Sequence, residues 1–224
     1  MSEISNYYIQ DQIQYQSSPK TRPGWIRRYN FALQHVRSND LVVDCGCGIG
    51  EGTALLAQKC QKAYGIDIDT YIIDYCRTNH SEAEFICHDV SRNCPFGADS
   101  IDVVVAIDLL EYMPTAHALH RALANMNQIM KPGAFIVTGG PNWHGQDHRT
   151  LIRLLKMQVL KFLGSYIKRQ AHWHERYRLW TPETLRAILE NHFETVSVYG
   201  ERAEGITQDL RKAPHLIARA RKAM

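Results

Sequence analysis

Three alternating glycines follow a short apolar stretch in "LVVDCGCGIGEGTALLA", residues 41–57. A turn from a parallel strand into a helix uses glycine where the backbone needs a positive φ or where a ligand touches the backbone. Asp67 ends the next apolar stretch, about 20 residues later, where an acid accepts hydrogen bonds from ribose hydroxyls. Gly46, Gly48, Gly50 and Asp67 therefore predict a site for a nucleoside ligand.

The spacing of the glycines indicates which nucleoside. A dinucleotide site uses G-x-G-x-x-G, but here the order is G-x-G-x-G and Glu51 stands where the third glycine of that motif belongs. A carboxylate at a helix N-terminus repels a pyrophosphate, whereas it is compatible with a ligand that carries an ammonium and a sulfonium. The spacing thus disfavours a nicotinamide cofactor.

The elements that must position these residues alternate along the chain. Continuous apolar strands separated by helices indicate a parallel sheet covered on both faces. After a break near Pro141, a helix begins at Thr181 and Pro182, a good N-cap and first-turn residue, and two closing strands follow. The predicted strands are 40–45, 63–67, 84–89, 101–108, 134–139, 193–200 and 215–221, and the predicted helices are 23–36, 52–60, 70–79, 114–130 and 181–192.

In this order the motifs resemble those of the class I S-adenosylmethionine-dependent methyltransferases. Residues 41–57 resemble motif I, a hydrophobic strand followed by D-x-G-C-G-x-G and a helix, and "GIDID" is similar to the second motif. "FICHDV", "CPFGADSIDVVVAIDLLEYMP" and "LANMNQIMKPGAFIVTGGPN" resemble the stretches around the third, fourth and fifth strands. The resemblance covers residues 40–142, is weaker over 179–198, and is closest to small-molecule enzymes of quinone, polysaccharide and natural-product pathways.

The resemblance implies a fold and a cofactor. The fold is α/β, a Rossmann-like doubly wound sheet, mostly parallel with one antiparallel edge strand, in the order 3-2-1-4-5-7-6, with a helical insertion after strand 5. The cofactor is S-adenosyl-L-methionine, with S-adenosyl-L-homocysteine as product. Asp67 would bind the ribose, Ile68 would lie beside the adenine, Asp89 would reach the adenine amino group and Val90 would offer its backbone. The expected cofactor-binding residues are Asp44, Gly46, Cys47, Gly48, Gly50, Asp67, Ile68, Asp89, Val90, Ile107 and Asp108.

A single domain of four segments is expected: an N-terminal flap and helix (1–38), a cofactor-binding core (39–141), an acceptor-side helical insertion (142–180), and a C-terminal helix with closing strands (181–224). The predicted function is methyl transfer by in-line displacement to a small-molecule or glycan- or lipid-linked acceptor, at a hydroxyl. A nucleic-acid or protein methyltransferase and a non-catalytic cofactor-binding scaffold are the alternatives. "IDLLEY" after strand 4 differs from the N-P-P-Y type expected for exocyclic base amines, which favours an acceptor other than nucleic acid.

The candidate bases lie after strand 5, at the edge where substrates of open α/β sheets bind. His144 and His148 are the candidates in this stretch. Related enzymes often carry a histidine after the glutamate that follows strand 4, but here Tyr112 follows Glu111, so the role of that histidine does not carry over. A divalent ion is an alternative use of His144 and His148 with Asp147, or of the H-x-H pair at 172 and 174. No third ligand recurs at a fixed offset, so no metal is predicted.

For three segments the sequence leaves alternative roles open. Apolar residues fill one half of a helix over 151–170, which is a lid over the acceptor, a homodimer interface, or a basic amphipathic helix on an anionic membrane surface. The N-terminal segment with Tyr7, Tyr8 and Tyr15 is either a flap over the cofactor or a frayed terminus. Arg27 or Arg28 either pairs with the cofactor carboxylate or forms a solvated helical face.

The composition limits the remaining classes. The formal charge of +3 is too small to indicate nucleic acid, and no stretch reaches the roughly 18 apolar residues of a membrane span. Six cysteines without C-x-x-C spacing indicate a reduced protein, so a cytoplasmic location, peripheral to the membrane if 151–170 binds lipid, is expected.

Overall fold

The structure is a computed structural model that describes residues 9–10, 13–14, 22–145, 179–210 and 213–224. The strands are β1 (Leu41–Cys45), β2 (Lys62–Asp67), β3 (Glu84–Cys87), β4 (Ile101–Ile107), β5 (Met130–Pro141), β6 (Glu194–Arg202), β7 (Gly205–Thr207) and β8 (His215–Arg221). The helices are α1 (Arg22–Leu33), α2 (Glu51–Ala57), α3 (Thr70–Asn79), α4 (Ala116–Ile129) and α5 (Pro182–Glu190), with short 3₁₀ turns at Leu110–Tyr112 and Trp143–Gly145.

The strands form one sheet in the order β3-β2-β1-β4-β5-β8-β6-β7. The first five are parallel, β8 lies antiparallel between β5 and β6, and β7 pairs antiparallel with β6 at the edge. The predicted fold class is confirmed, and the predicted order holds with one addition. The sequence did not indicate β7, because three half-buried residues are too short to show an alternating pattern.

Both faces of the sheet are covered, as the continuous apolar strands predicted. One cluster packs α4 and α5 against the sheet through residues such as Leu123, Met126 and Leu189. The other packs α1 and α2 against the opposite face through Trp25 and Leu56. Burial on both faces explains why β4 is apolar from Val103 to Ile107.

Side chains at the helix starts fix where the loops of the site end. Asp69 caps α3 by accepting from the amides of Tyr71 and Ile72. Thr181 caps α5, and its hydroxyl and that of Thr184 satisfy each other's backbone amides. Each cap satisfies amides that the helix itself leaves without partners.

Several predicted boundaries are corrected by the structure; α2 ends at Ala57 rather than at 60, and β3 ends at Cys87 rather than at 89. Helix α1 ends at Leu33 rather than at 36, because the next amides, such as that of His35, bond to the carbonyl three residues back. Strand β5 begins at Met130 rather than at 134, because Met130 pairs with Ile101 before the register shifts. The shift includes Gly133, whose φ is 75°.

The predicted insertion, 142–180, lies mostly outside the described residues, but its two ends are described. The Trp143 amide donates to the Trp180 carbonyl at 2.7 Å, and the Trp180 amide donates to the Pro141 carbonyl at 2.9 Å. The insertion therefore leaves and rejoins the sheet at one point, the end of β5. Among the described helices, none combines the length and apolar character needed to cross a bilayer.

Candidate cofactor and acceptor site

The glycine loop joins β1 to α2 at the carboxyl edge of the sheet, the edge where the parallel strands end. Gly46, Gly48 and Gly50 have φ values of 75°, 51° and 84°, a region that other residues rarely adopt. A Cβ on Gly46 would lie 2.8 Å from a methyl carbon of Leu109, and one on Gly50 would lie 2.8 Å from the ring of His80. Glycine is therefore favoured at all three positions by the backbone conformation, and at Gly46 and Gly50 also by the lack of space for a side chain.

Asp44, the acid that precedes the loop, is buried. Its carboxylate accepts hydrogen bonds from the Thr53 hydroxyl at 2.8 Å and from the Tyr29 hydroxyl at 3.1 Å. Burial raises the pKa of Asp44 to about 7, although both hydrogen bonds lower it. In the structure Asp44 therefore joins β1 to α1 and α2 beneath the loop.

Asp67 ends β2 beside the loop, as predicted. One carboxylate oxygen accepts from the Gly48 amide at 3.1 Å, and the other accepts from the Asp69 amide at 3.1 Å. Partial removal from water raises the pKa of Asp67, while these backbone hydrogen bonds lower it. The next residue, Ile68, is 43% exposed, unusually so for a large apolar side chain beside a core strand.

Asp89 and Val90 follow β3 on the same edge. The Asp89 carboxylate accepts from the Ser91 amide at 2.9 Å and lies 3.5 Å from Nε of the exposed Arg92. The Val90 carbonyl accepts from the Asn125 side chain at 2.8 Å, and the Val90 side chain is buried. The structure thus brings Asp67, Ile68, Asp89 and Val90 to the ends of two neighbouring strands.

Ile107 and Asp108 end the central strand β4. Ile107 is buried, and Asp108 has a φ of 52°, one of three positive values among the described residues other than glycine. The Asp108 amide donates to the Gly139 carbonyl at 3.1 Å. Its carboxylate pairs with Arg28 Nη2 at 2.8 Å.

Arg28 connects Asp108 to a second buried acid that the sequence analysis missed. Arg28 is 1% exposed, and its Nη1 lies 3.2 Å from Glu201 on β6. Arg27 binds the same Glu201 through Nε at 2.9 Å and Nη2 at 2.6 Å. Arg27 and Arg28 therefore form no solvated helical face. Glu201 carried no motif, since only the tertiary fold brings β6 to this edge.

His144 is exposed, and its backbone amide donates to the Asn142 side chain at 3.2 Å. Asn142 is fully buried and holds the Leu210 and Ala213 carbonyls at 3.0 Å and 2.8 Å, which anchors this end of β5. His148, Asp147, His172 and His174 lie outside the described residues. Within the described ranges, no group of three or more potential ligands that could hold a metal is present.

The glycine loop and Asp67 together form a cradle, and this cradle fits a nucleoside cofactor. Positions 46, 48 and 50 hold no side chain where one would be strained, and the Asp67 carboxylate lies at the loop's rim. Glu51 is the first residue of α2, where a pyrophosphate would meet a negative charge. The donor set fits S-adenosylmethionine better than a dinucleotide.

Comparison with known proteins agrees with this geometry. Residues 43–138 match the methyltransferase domain family, a range that begins in β1 and ends in β5. Over these residues, less than half of its length, the chain is similar to a methyltransferase domain. The matched range includes the cofactor cradle and the carboxyl end of β4. S-adenosylmethionine is the cofactor that this domain implies.

Curated relatives of this methyltransferase domain match only part of the chain. The bifunctional biotin biosynthesis protein BioHC of Cellvibrio japonicus is 31% identical over 103 residues, 45% of this chain and 20% of that protein. A ubiquinone biosynthesis O-methyltransferase of Idiomarina loihiensis is 23% identical over 71% of this chain and 63% of that enzyme. The chain spans less than half the length of the first few curated relatives.

Solved structures extend the likeness of the methyltransferase domain to nearly the whole chain, at the level of the fold. A TehB-like SAM-dependent methyltransferase of Corynebacterium glutamicum superposes with a TM-score of 0.68 and 17% identity, over 97% of each chain. A chain from the complex of the Haloferax volcanii Trm112 methyltransferase activator with a methyltransferase gives 0.69 and 15%, over 100% of this chain and 99% of that one.

Proposed function

We propose that this protein is an S-adenosylmethionine-dependent methyltransferase that methylates a hydroxyl group on a small-molecule or glycan- or lipid-linked acceptor. The observation that carries the methyl-transfer proposal is the cradle, formed by the positive-φ glycines and by Asp67 at 3.1 Å from the Gly48 amide. The assignment of oxygen as the methylated atom follows the small-molecule members of the family that the sequence resembles.

The cofactor half of the carboxyl edge comprises the ends of β1, β2 and β3. We expect it to bind and orient S-adenosylmethionine. Asp67 would offer carboxylate oxygens to the ribose, Ile68 would lie beside the adenine, Asp89 would accept from the adenine amino group, and Val90 would offer its backbone. The glycine loop lets the ligand approach the backbone closely. When bound, S-adenosylmethionine supplies an electrophilic methyl group on its sulfonium. Glu51 at the start of α2 places a negative charge near the positively charged end of this ligand.

The acceptor half of the carboxyl edge comprises the ends of β4 and β5. We expect it to hold the acceptor, whose hydroxyl oxygen is the nucleophile. Methyl transfer needs no covalent intermediate, so holding the acceptor in line and excluding water supplies most of the acceleration. The ends of β4 and β5 lie together here, because the Asp108 amide donates to the Gly139 carbonyl. The sequence alone predicts His144 or His148 as the base that takes the acceptor proton. Of these two, His144 lies in the described part of the chain and follows the end of β5.

The relatives support the acceptor class at a coarse level. The Idiomarina loihiensis relative is named as an O-methyltransferase of ubiquinone biosynthesis, and it matches 71% of this chain. The sequence "IDLLEY" at residues 107–112 differs from the N-P-P-Y type expected for base amines. Both observations favour a small hydroxylated acceptor.

RNA is the second candidate acceptor, because other relatives favour it. A human protein named as a probable tRNA methyltransferase 9B is 27% identical over 49% of this chain and 23% of that protein. The Trm112 complex is similar across the full chain in fold. If RNA is the acceptor, a Trm112-like activator is a candidate partner. A scaffold role is the third alternative, and the intact cradle disfavours it.

Transfer of tritium from methyl-labelled S-adenosylmethionine tests the acceptor class. The purified protein is incubated in parallel with catechols and phenols, with lipid-linked glycans and with total tRNA and rRNA. We expect label in the hydroxylated small molecules or lipid-linked glycans and none in RNA above a boiled-enzyme control. Labelled RNA together with unlabelled small molecules would contradict the proposal and identify an RNA methyltransferase.

The predicted roles of residues 151–170 remain predictions and are tested separately. Co-sedimentation with anionic and with neutral vesicles measures peripheral membrane binding, and analytical ultracentrifugation measures dimerisation. Binding to anionic vesicles alone would support a lipid-linked acceptor. A monomer that ignores both kinds of vesicle would favour the lid.

A further inference from the structure

A histidine at the acceptor half lies beside a buried acid, and no sequence motif indicated it. His215 is the first residue of β8, and β8 runs antiparallel, so its first residue lies at the carboxyl edge of the parallel strands. In register it pairs with Pro141 at the end of β5 and with Glu201 on β6. His215 thus lies one strand from the point where the insertion begins.

Glu201 faces the imidazole. Its Oε2 lies 3.6 Å from His215 Nδ1, with the histidine side chain 20% exposed and the glutamate side chain 3% exposed. This separation is an ion-pair distance, longer than a hydrogen bond. Contacts of this kind in catalytic sites are often long without substrate and tighten when it binds. A buried acid beside Nδ1 gives the imidazole a preferred orientation, with Nε2 on the side of the ring opposite the acid.

The same acid is held by two arginines. Arg27 binds Oε1 of Glu201 at 2.6 Å, and Arg28 binds Oε2 at 3.2 Å while also binding Asp108 at 2.8 Å. Three ion pairs therefore form a chain from His215 through Glu201 and Arg28 to Asp108. Asp108 ends β4, the strand that the cofactor cradle adjoins. The chain fixes His215 relative to the cofactor half.

Glu201 also binds the Arg27 and Arg28 guanidiniums, so the imidazole shares this acid with two cations.

We propose that His215 is the base that accepts the proton of the acceptor, with Glu201 as its positioning residue. The proposal rests on the methyl-transfer function above. In the proton step the O–H bond of the acceptor breaks, the proton goes to imidazole Nε2, and the bonding electrons stay on oxygen. The imidazolium then returns the proton to solvent. His144, by contrast, is exposed, and its backbone amide donates to the Asn142 side chain.

Titration of His215 by NMR tests the pair without any acceptor. The protein is labelled with ¹³C at histidine Cε1, and the His215 signal is assigned by its loss in His215→Gln. We expect Glu201→Gln to lower the pKa of His215 by about one unit, because the neighbouring negative charge is lost. Glu194→Gln, an exposed change on the same strand, is the matched control and should leave that pKa unchanged.

A second variant guards against misfolding of Glu201→Gln. Arg27 is 27% exposed, and Arg28 still binds Glu201 when Arg27 is replaced. Arg27→Gln should raise the pKa of His215 by roughly half a unit, since one competing cation is removed. An unchanged His215 titration in both Glu201→Gln and Arg27→Gln would overturn the pairing.

Kinetics with the best acceptor of the tritium assay test the catalytic role. His215→Gln should lower kcat by about 10² to 10⁴ at pH 7 while KM changes less than about threefold, and the loss should shrink as the pH rises. His117→Gln, an exposed change on α4, is the control. Full activity in His215→Gln, or a comparable loss in His144→Gln instead, would overturn the proposal.

Calorimetry separates this proposal from the function beneath it. Wild type and His215→Gln should bind S-adenosylmethionine with affinities within about twofold of each other, because His215 lies in the acceptor half. Absence of binding in wild type would contradict the methyltransferase function itself. Intact binding together with a fully active His215→Gln would contradict only the assignment of the base.

Discussion

The two halves of the carboxyl edge are built by different means. The cofactor half is made of backbone conformations and short-range contacts: positive-φ glycines in one loop and Asp67 bonded to the Gly48 and Asp69 amides. The acceptor half is made of side-chain ion pairs between residues distant in sequence, such as Arg28 with Asp108 and Glu201. A loop formed by neighbouring residues can be predicted from the sequence. A network of ion pairs between residues that are distant in the chain cannot.

The difference predicts two kinds of sensitivity. Adding a single methyl group should damage the cofactor half, because Gly46 and Gly50 have neither the conformation nor the space for a Cβ. Removing a charge should damage the acceptor half, because its partners are buried and would be left uncompensated. Four sets of variants, in decreasing order of the change that we expect, distinguish the two halves.

Loss of Arg28 should be the most damaging change. Arg28→Met removes a buried cation from two acids and should lower the free energy of unfolding by about 3 to 5 kcal/mol, measured by urea denaturation. Arg27→Met is the matched control, since Arg27 binds the same Glu201 from a position that is 27% exposed. Its cost should stay near 1 kcal/mol or below. Equal losses in the two variants would show that burial does not determine the cost.

Asp44 should give the cofactor half its own pH dependence. Its pKa is raised from 3.8 to about 7 by burial, so the folded chain holds this proton more tightly than the unfolded chain. The contribution to stability is present below about pH 4 and is lost as the pH rises to about 7. It amounts to about 4 kcal/mol at about 1.4 kcal/mol per pKa unit.

Asp44→Asn should abolish that contribution. The wild-type free energy of unfolding, minus that of the variant, should fall between pH 4 and 8 when both are measured by urea titration at each pH. A difference that stays flat across this range would mean that the Asp44 carboxylate keeps an ordinary pKa despite its burial.

Asp67 should matter for binding more than for folding. Asp67→Ala should weaken S-adenosylmethionine binding by about 100-fold or more, because hydrogen bonds to a charged group contribute about 1.5 to 3 kcal/mol each. Asp74→Ala, an exposed change on α3, should bind as wild type does. Unchanged affinity in Asp67→Ala would remove this residue from the ribose site.

The smallest effect distinguishes two glycines. Gly50→Ala should cost about 2 kcal/mol of stability, because φ is 84° and the new Cβ would meet His80 at 2.8 Å. Gly97 has open space around it and no positive φ, so Gly97→Ala should change the free energy of unfolding by no more than about 0.5 kcal/mol. Thermal unfolding of the two variants would show the difference, and equal melting temperatures would contradict it.

Much of the fold could be predicted from sequence because its signals are local. The apolar runs of β1 and β4 are buried on both faces, so they carry no polar alternation to obscure them. The alternating glycines predicted the turn between β1 and α2. The closing strand at 215–221 was predicted with the bounds that the structure gives. What failed were boundaries set by single hydrogen bonds, such as the end of α1, and the three-residue strand β7.

The acceptor half could be predicted only in outline. The sequence analysis placed the acceptor half after β5. The hydrogen bond from the Asp108 amide to the Gly139 carbonyl supports this, because it joins the end of β4 to the end of β5. The sequence analysis left the roles of Arg27 and Arg28 open and overlooked Glu201 and His215. Those residues meet only because β8 runs antiparallel between β5 and β6, a non-local arrangement that no short pattern encodes. An isolated glutamate on a strand resembles any solvent-facing acid until its partners are known.

The central claim is that the glycine cradle binds S-adenosylmethionine. Isothermal titration of the wild-type protein with S-adenosylmethionine and, in parallel, with NAD tests it most directly. The account predicts micromolar binding of S-adenosylmethionine and no binding of NAD. Binding of NAD, or of neither ligand, would contradict the account and the methyltransferase function built on it.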